Sequence, residues 1–336
     1  MGPALHAGDS PAGSARGGRG RRIPGADRDR GAVRARARGR RGDDPLGPAQ
    51  PRGARPARLV RLRRRALCTV RDCRKPLARS ERRLVCAHDH SFDVARSGYV
   101  NLLQPQDRRS PRPGDSPQAL AARRRVLEGV EAPLVDAIVD TLSLTEHDVV
   151  LDVGCGEGHH LAAIARRFGC GAHGLDISVP AIDAAARRHR GIEWVVANAD
   201  RFVPYAEHSF SVVVSITGRK NAGEFRRVIR PDGLLLVVVP AADDLIEVRR
   251  AVLGEGVPHD RIERTVATFA PLFTLARHEC LRRVVRLDRA AAADAMTGSY
   301  RGLRRNERAR LESIGDLDVT LSRDVLLLRP EGSALH

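Results

Sequence analysis

Two groups of residues in this 336-residue chain have the types and spacing to do chemistry. The first is the run Asp152-Val153-Gly154-Cys155-Gly156-Glu157-Gly158, in which three glycines alternate. Glycine lets the backbone turn sharply and approach a ligand where a Cβ would collide. The run lies between an apolar strand-like segment and a helical pattern, which makes the glycines informative beyond their bare spacing. Asp176, 22 residues beyond Gly154, ends the next apolar segment, where a carboxylate can accept hydrogen bonds from ribose hydroxyls. Dinucleotide-binding proteins share that acid, so it does not select the ligand by itself. The second group is Cys68-x4-Cys73 followed by Cys86-x3-His90. Thiolate and imidazole suit tetrahedral zinc, and two ligand pairs a dozen residues apart can close around one ion. The first pair is widely spaced, and His88 is an alternative to His90. The competing reading is that these cysteines are incidental small apolar residues. Metal is preferred because it also stabilises a module too small to fold by itself.

The elements that must position these residues follow from periodicity. Val149–Val153 reads as a buried strand, with a helix through Leu161–Ala165. His173–Ile177 is a second strand, and Ala181–Arg188 a second helix. Strands are expected at Glu193–Ala197, Ser211–Ile216 and Leu234–Val239, with a helix at Ala222–Ile229 before the last. Such alternation implies right-handed crossovers and a mostly parallel sheet covered on both faces. A helical stretch from Ala119 to Leu144, broken near Pro133, precedes the first strand. Val284–Leu287, a helix near Ala290–Met296 and a closing strand at Val325–Leu328 follow the last. The chain divides into a leader at 1–65, a zinc-binding module at 66–104, a linker with helical connection at 105–145 and an α/β domain at 146–330.

The net charge of +17 invites a nucleic-acid reading, but its location matters. Residues 1–65 hold 18 Arg against 5 Asp, so +13 sits there and only +4 remains for the other 271 residues. That leader is Arg, Gly, Ala and Pro with few large apolar residues, so it cannot offset the entropy of ordering and is expected to be disordered. It can be read as a basic RNA-binding arm, as a transit peptide, or as a translated GC-rich stretch ahead of the functional chain; the last is preferred. It is expected to be dispensable for folding and activity. No apolar run approaches the ~20 residues of a membrane helix. Six cysteines without a secretion signal fit a reduced, cytoplasmic setting better than a disulfide framework.

The motifs also carry resemblances. An acid before Gly-x-Gly-x-Gly resembles the first motif of class I methyltransferases, where it serves the amino-acid end of S-adenosylmethionine. Asn198-Ala199-Asp200 resembles the segment that meets the adenine, and Arg230-Pro231-Asp232-Gly233 the entry to the fifth strand of the same fold. The fold class is therefore α/β, a Rossmann-like, mostly parallel seven-stranded sheet. The run Cys73-Arg-Lys-Pro76-Leu77, Cys86-x3-His90-x-Phe92-Asp93-x-Ala95-x-x-Gly98-Tyr99-Val100-Asn101-Leu102-Leu103, Pro113-Gly114-Asp115-Ser116 and Ala122-Arg123-Arg124 is similar to the bacterial 23S rRNA guanine-N1 methyltransferases. Gly174–Ser178 and Met296-Thr297 continue the likeness, which spans about 66–330. The family includes members linked to tylosin resistance.

The resemblance implies a guanine in a 23S rRNA hairpin as substrate, S-adenosylmethionine as cofactor and a structural Zn2+ held by Cys68, Cys73, Cys86 and His90. It implies cofactor contacts from Asp152, Gly154, Gly156, Glu157, Gly158 and Asp176, with Asp200 and Asp244 added by expected position. No side chain identifies itself as the base that takes the N1 proton; Asp200 and Asp244 are candidates by location alone. Arg96, Arg108, Arg109, Arg112 and Arg123–Arg125 suit phosphate contacts, though each alone also fits a solvated face. A homodimer is kept as an expected state. Two departures bear on substrate: Thr217-Gly218-Arg219-Lys220 replaces an aromatic-Ala-Pro stretch, and Asp244 stands where a His precedes Leu-x-Glu. Two rival functions follow: a small-molecule methyltransferase, and a non-catalytic RNA-binding protein on the same fold.

Overall fold

A computed structural model describes residues 66–108, 113–254, 258, 260–299 and 304–332. The leader expected at 1–65 lies outside the described residues, as do Arg109 and Arg112. Three short strands come first: β1 (Ala78–Ser80), β2 (Arg83–Val85) and β3 (Ser91–Asp93) form a small antiparallel sheet in that order. After β4 (Val100–Asn101) come α1 (Pro117–Glu128) and α2 (Ala132–Asp140). Ser116 caps α1 through its hydroxyl, and the chain turns between the helices because Pro133 can sit only in the first turn of α2.

The α/β domain then runs β5 (Val149–Val153), α3 (His159–Phe168), β6 (Gly171–Asp176), α4 (Val179–Arg188), β7 (Glu193–Val196), β8 (Phe210–Ile216), α5 (Ala222–Val228) and β9 (Ile229–Pro240). It closes with α6 (Ile246–Leu253), α7 (Ile262–Phe269), β10 (Phe273–Leu287), α8 (Arg289–Ser299), α9 (Arg305–Ser313) and β11 (Leu317–Pro330). The strand order is β10-β11-β9-β8-β5-β6-β7-β4, with β5 to β9 parallel and β10 and β11 antiparallel. The order reverses beside β5, so a crevice opens beyond its carboxyl end, where the glycine run lies.

The seven expected strands are present, and β4 adds an eighth by pairing Val100 with Val195 and Asn101 with Val196. This explains why so small a zinc module is stable. Ala66, Leu77, Leu84, Phe92 and Val100 share one buried core with Val195, Tyr205 and Phe210 of the α/β domain. Leu67 N also donates to Pro204 O at 2.9 Å. The module borrows an apolar face that it cannot build from its own residues. The C-terminal strands are much longer than their apolar runs. Most of β10 is exposed on both faces, so its side chains do not alternate by polarity and only its end reads as a strand.

Candidate functional site

The glycine run folds as a tight loop from β5 into α3. Gly154, Gly156 and Gly158 all have positive φ, at 83°, 55° and 79°. A Cβ on Gly158 would also lie 2.2 Å from Cη2 of Trp194, so this position requires glycine twice over. The loop is tied to β6: Gly154 N and Cys155 N both donate to Leu175 O. Asp176 fastens the other side, its carboxylate accepting from Gly156 N at 2.9 Å and Ser178 N at 2.8 Å.

A cavity of about 390 Å³ opens beside this loop. Asp152, Gly154, Gly156 and Glu157 line it from one side, and Thr217, Asp244 and Arg323 from other elements. Asp152 is buried, and its Oδ1 has no hydrogen-bond partner among the described residues. Burial, and then the nearby Asp176, push its pKa up to about 8. A cationic amino group arriving from a ligand would both satisfy that oxygen and hold the carboxylate ionised. An orphaned buried acid at the mouth of a positive-φ glycine loop fits the amino-acid end of S-adenosylmethionine. Cys155 is half-buried, and desolvation raises its thiol well above the usual range, which disfavours a nucleophilic thiolate.

That acid sets a pH dependence. An unfolded Asp titrates near ~3.9, so the folded cofactor-free protein holds a proton that the unfolded chain has lost between about pH 4 and 8. Stability should therefore fall as pH rises through that window, by at most about 1.4 kcal/mol per pH unit from this group. Asp152→Asn removes the contribution. Thermal melts of both proteins at pH 5 and pH 8 should show the wild type losing more stability between them; equal losses would remove Asp152 as the cause.

The remaining expected cofactor residues are placed differently. Glu157 lines the cavity, but Arg124 holds its carboxylate through two hydrogen bonds of 2.7 Å and Arg188 adds a third at 3.4 Å. Asp200 is exposed, does not line the cavity, and lies 3.6 Å from Arg219. Asp244 lines the cavity and accepts from Ser322 N at 2.9 Å and from Arg323. The altered loop after β8 packs directly on the glycine loop. A Cβ on Gly218 would lie 2.7 Å from Val153 O, so only glycine lets this backbone pass so close. Arg123, Arg124 and Arg125 spend their donors internally, on Asp115 and Gly298 O, on Glu157, and on Asp294. They fasten α1 to the loop and to α8, whereas Arg96 and Arg108 are exposed.

The metal cluster is as compact as its sequence spacing suggests. Ligand atoms of Cys68, Cys73, Cys86 and His90 all lie within 4.8 Å of one another. Cys68 Sγ is 3.4 Å and Cys86 Sγ 3.5 Å from His90 Nδ1, and Cys73 Sγ is 3.7 Å from Cys86 Sγ. Tetrahedral zinc with ~2.3 Å bonds to sulfur would set neighbouring sulfurs about 3.8 Å apart, so the four donors fit that ion. His88 Nδ1 touches only Cys73, at 3.5 Å, from an exposed position. The extra residues between Cys68 and Cys73 are taken up by a turn in which Cys73 N donates to Val70 O and Asp72 has positive φ. Beside the cluster, a second hollow of about 440 Å³ is lined by Arg71, Arg74, Arg201, Asn198 and Phe202. Arg74 and Arg227 both lie over the Phe202 ring, at 4.8 and 4.9 Å.

Comparison with known proteins matches these two sites to two family descriptions. Residues 68–111 match the family described as "RlmA, N-terminal", a zinc ribbon, and residues 150–233 match a methyltransferase domain. The chain is 36% identical over 269 residues to the 23S rRNA (guanine(748)-N(1))-methyltransferase of Streptomyces fradiae, covering 77% of this chain and 95% of that one. The chain belongs to the 23S rRNA (guanine-N1)-methyltransferase family. A Bacillus subtilis protein named "Putative 23S rRNA (guanine-N(1)-)-methyltransferase YxjB" is 32% identical over 266 residues, covering 74% of this chain and 92% of that one. Membership accounts for both sites together: a class I methyltransferase domain that uses S-adenosylmethionine, and a zinc ribbon whose ion is structural. No helix among the described residues is long and apolar enough to cross a membrane.

The residues that sequence reasoning missed are Glu131 and Arg323, which share the cavity wall with Asp244. Glu131 lies two residues before Pro133 in a helix break, and Arg323 sits in a strand between Ser322 and Asp324. Neither belongs to a local motif.

Proposed function

We propose that this protein methylates N1 of a guanine in a 23S rRNA hairpin loop. The observation that carries the proposal is that the relationship to the Streptomyces fradiae enzyme runs through zinc ribbon and methyltransferase domain alike, over 95% of that enzyme. A small-molecule methyltransferase has no evident use for the ribbon. S-adenosylmethionine bound at the glycine loop supplies the methyl group. Asp152 holds the amino end of that cofactor, Asp176 takes its ribose hydroxyls, and Gly154, Gly156 and Gly158 let the backbone approach it. Glu157 acts by fixing Arg124 and the loop. Asp200 stays a cofactor contact only if the exposed loop closes on the adenine. Cys68, Cys73, Cys86 and His90 hold the zinc, and Arg71, Arg74 and Arg201 beside it suit phosphate contacts. A loop guanine costs less to extrude than a paired one, which suits a cavity this enclosed. The substrate places the protein in the cytoplasm, and a homodimer belongs to the same proposal.

Asp176→Ala tests the cofactor assignment. It should weaken S-adenosylmethionine binding by about 10–100-fold, since hydrogen bonds to a charged acceptor are lost, while the protein stays folded. Methyl transfer to 23S fragments should fall in step, with small acceptors inert throughout. Calorimetry showing unchanged affinity in a folded variant would remove Asp176 from the site.

A further inference from the structure

Three charged side chains from distant parts of the chain meet in the cavity wall. Glu131 comes from the turn between α1 and α2, Asp244 from the segment between β9 and α6, and Arg323 from β11. Arg323 Nη2 donates to Glu131 Oε1 at 2.5 Å, and Nη1 pairs with Asp244 Oδ1. All three residues are buried. Two carboxylates thus share one guanidinium, and the second oxygen of each lies outside that pairing. Asp244 is the more fixed of the two, because the same Oδ1 also accepts from Ser322 N. Both carboxylates line the cavity, where a ligand can supply further donors.

The Watson–Crick edge of guanine carries such donors, N1–H and N2–H side by side, matching the two oxygens of one carboxylate. We propose that Glu131 reads this edge of the target guanine and accepts the N1 proton, with Arg323 and Asp244 holding it in place; the inference rests on the guanine-N1 reading above. In the transfer, the N1–H bond breaks and the proton passes to a Glu131 oxygen. The N1 electron pair forms the bond to the methyl carbon. The carbon–sulfur bond breaks and its electrons stay on sulfur, so the sulfonium departs as a neutral thioether.

The groups facing Glu131 agree with this role. Burial raises its proton affinity, Arg323 and Arg123 lower it, and Asp244 raises it again. The net direction is upward, which makes this carboxylate a stronger proton acceptor than an exposed one. His160, the imidazole in the same wall, is a poor competitor because burial pushes its pKa down to about 3.

The test uses one hairpin RNA carrying guanosine or inosine at the target position; inosine keeps N1–H and lacks the N2 amino group. Wild-type kcat/KM should fall about 10–100-fold on inosine, as expected for loss of a hydrogen bond to a charged group. Hairpin affinity, measured with a cofactor-product analogue bound, should fall alongside. Glu131→Gln should lower kcat on guanosine at least about 100-fold, bind cofactor as the wild type does, and no longer distinguish guanosine from inosine. Glu131→Asp should recover part of the rate. A Glu131→Gln enzyme with wild-type rate, or one that still prefers guanosine as the wild type does, overturns this inference alone. A wild type that binds and methylates both RNAs equally overturns it without any variant. A wild type that transfers no methyl group to guanosine RNA overturns the guanine-N1 reading, and this inference with it.

Discussion

Cys73→Ser and Cys86→Ser are expected to lose the zinc ion and at least about 100-fold of rRNA methylation, while cofactor affinity stays within about threefold of wild type. Each removal leaves three donors where four close the site, and a closed site is what makes the ion structural. The sulfurs and His90 Nδ1 are already at tetrahedral spacing, so the ion holds together the turn at Val70–Cys73 and the turn before His90. Without it, Leu77, Leu84 and Phe92 lose their grip on the shared core. The melting temperature should fall, because that core continues into β7 and β8. That core also reaches Leu151, Val153 and Leu175 beneath the glycine loop, but the loop itself is pinned by hydrogen bonds to Leu175 O, Asp176 and, through Glu157, Arg124. Cofactor binding therefore survives. Metal content, calorimetry and methyl transfer on one preparation separate the two outcomes. Loss of cofactor binding in step with zinc would mean that the ribbon supports the whole fold. His88→Ala should retain zinc, since His88 reaches only Cys73.

Gly158→Ala is expected to destabilise the protein by about 2–4 kcal/mol, the sum of positive-φ strain and overpacking. Gly158 has φ of 79°, and the new Cβ would meet Trp194 Cη2 at 2.2 Å. Trp194 has little room to move: it is 2% exposed, its indole donates to His189 O, and Gly174 makes room for the same six-membered ring, where a Cβ would lie 2.2 Å from Cζ3. The two glycines thus frame one indole beneath the cofactor loop. Adding Trp194→Phe should recover part of the loss by withdrawing the crowding ring atoms, leaving the backbone strain. Denaturant unfolding of the single and double variants measures both parts. A single variant as stable as wild type would show that the indole shifts freely.

How much of this was readable beforehand depends on how local each signal is. The positive-φ glycine loop and the convergence of the Cys/His cluster were readable because each lies within a short run whose spacing is itself informative. Cys68, Cys73, Cys86 and His90 converge as the resemblance implied. The parallel core of the sheet was readable from buried apolar runs. Arg124 suits a phosphate contact or a solvated face by sequence, yet it is committed to Glu157, 33 residues away, a pairing that no local pattern announces. Glu131 and Arg323 are 192 residues apart and meet only because the α1–α2 turn lies against the middle of β11. Their significance exists only in three dimensions. The extent of β10 was unreadable for a different reason: with both faces exposed, it lacks the polar and apolar alternation that marks a half-buried strand.

The central claim is the identity of the methylated atom. The most direct measurement is transfer of labelled methyl from S-adenosylmethionine to unmodified 23S rRNA by the wild-type protein, followed by digestion to nucleosides and chromatography. Label should appear in 1-methylguanosine alone and be lost when the target hairpin is deleted from the RNA. Label in any other nucleoside, or transfer to small acceptors while the rRNA stays unlabelled, would contradict that claim.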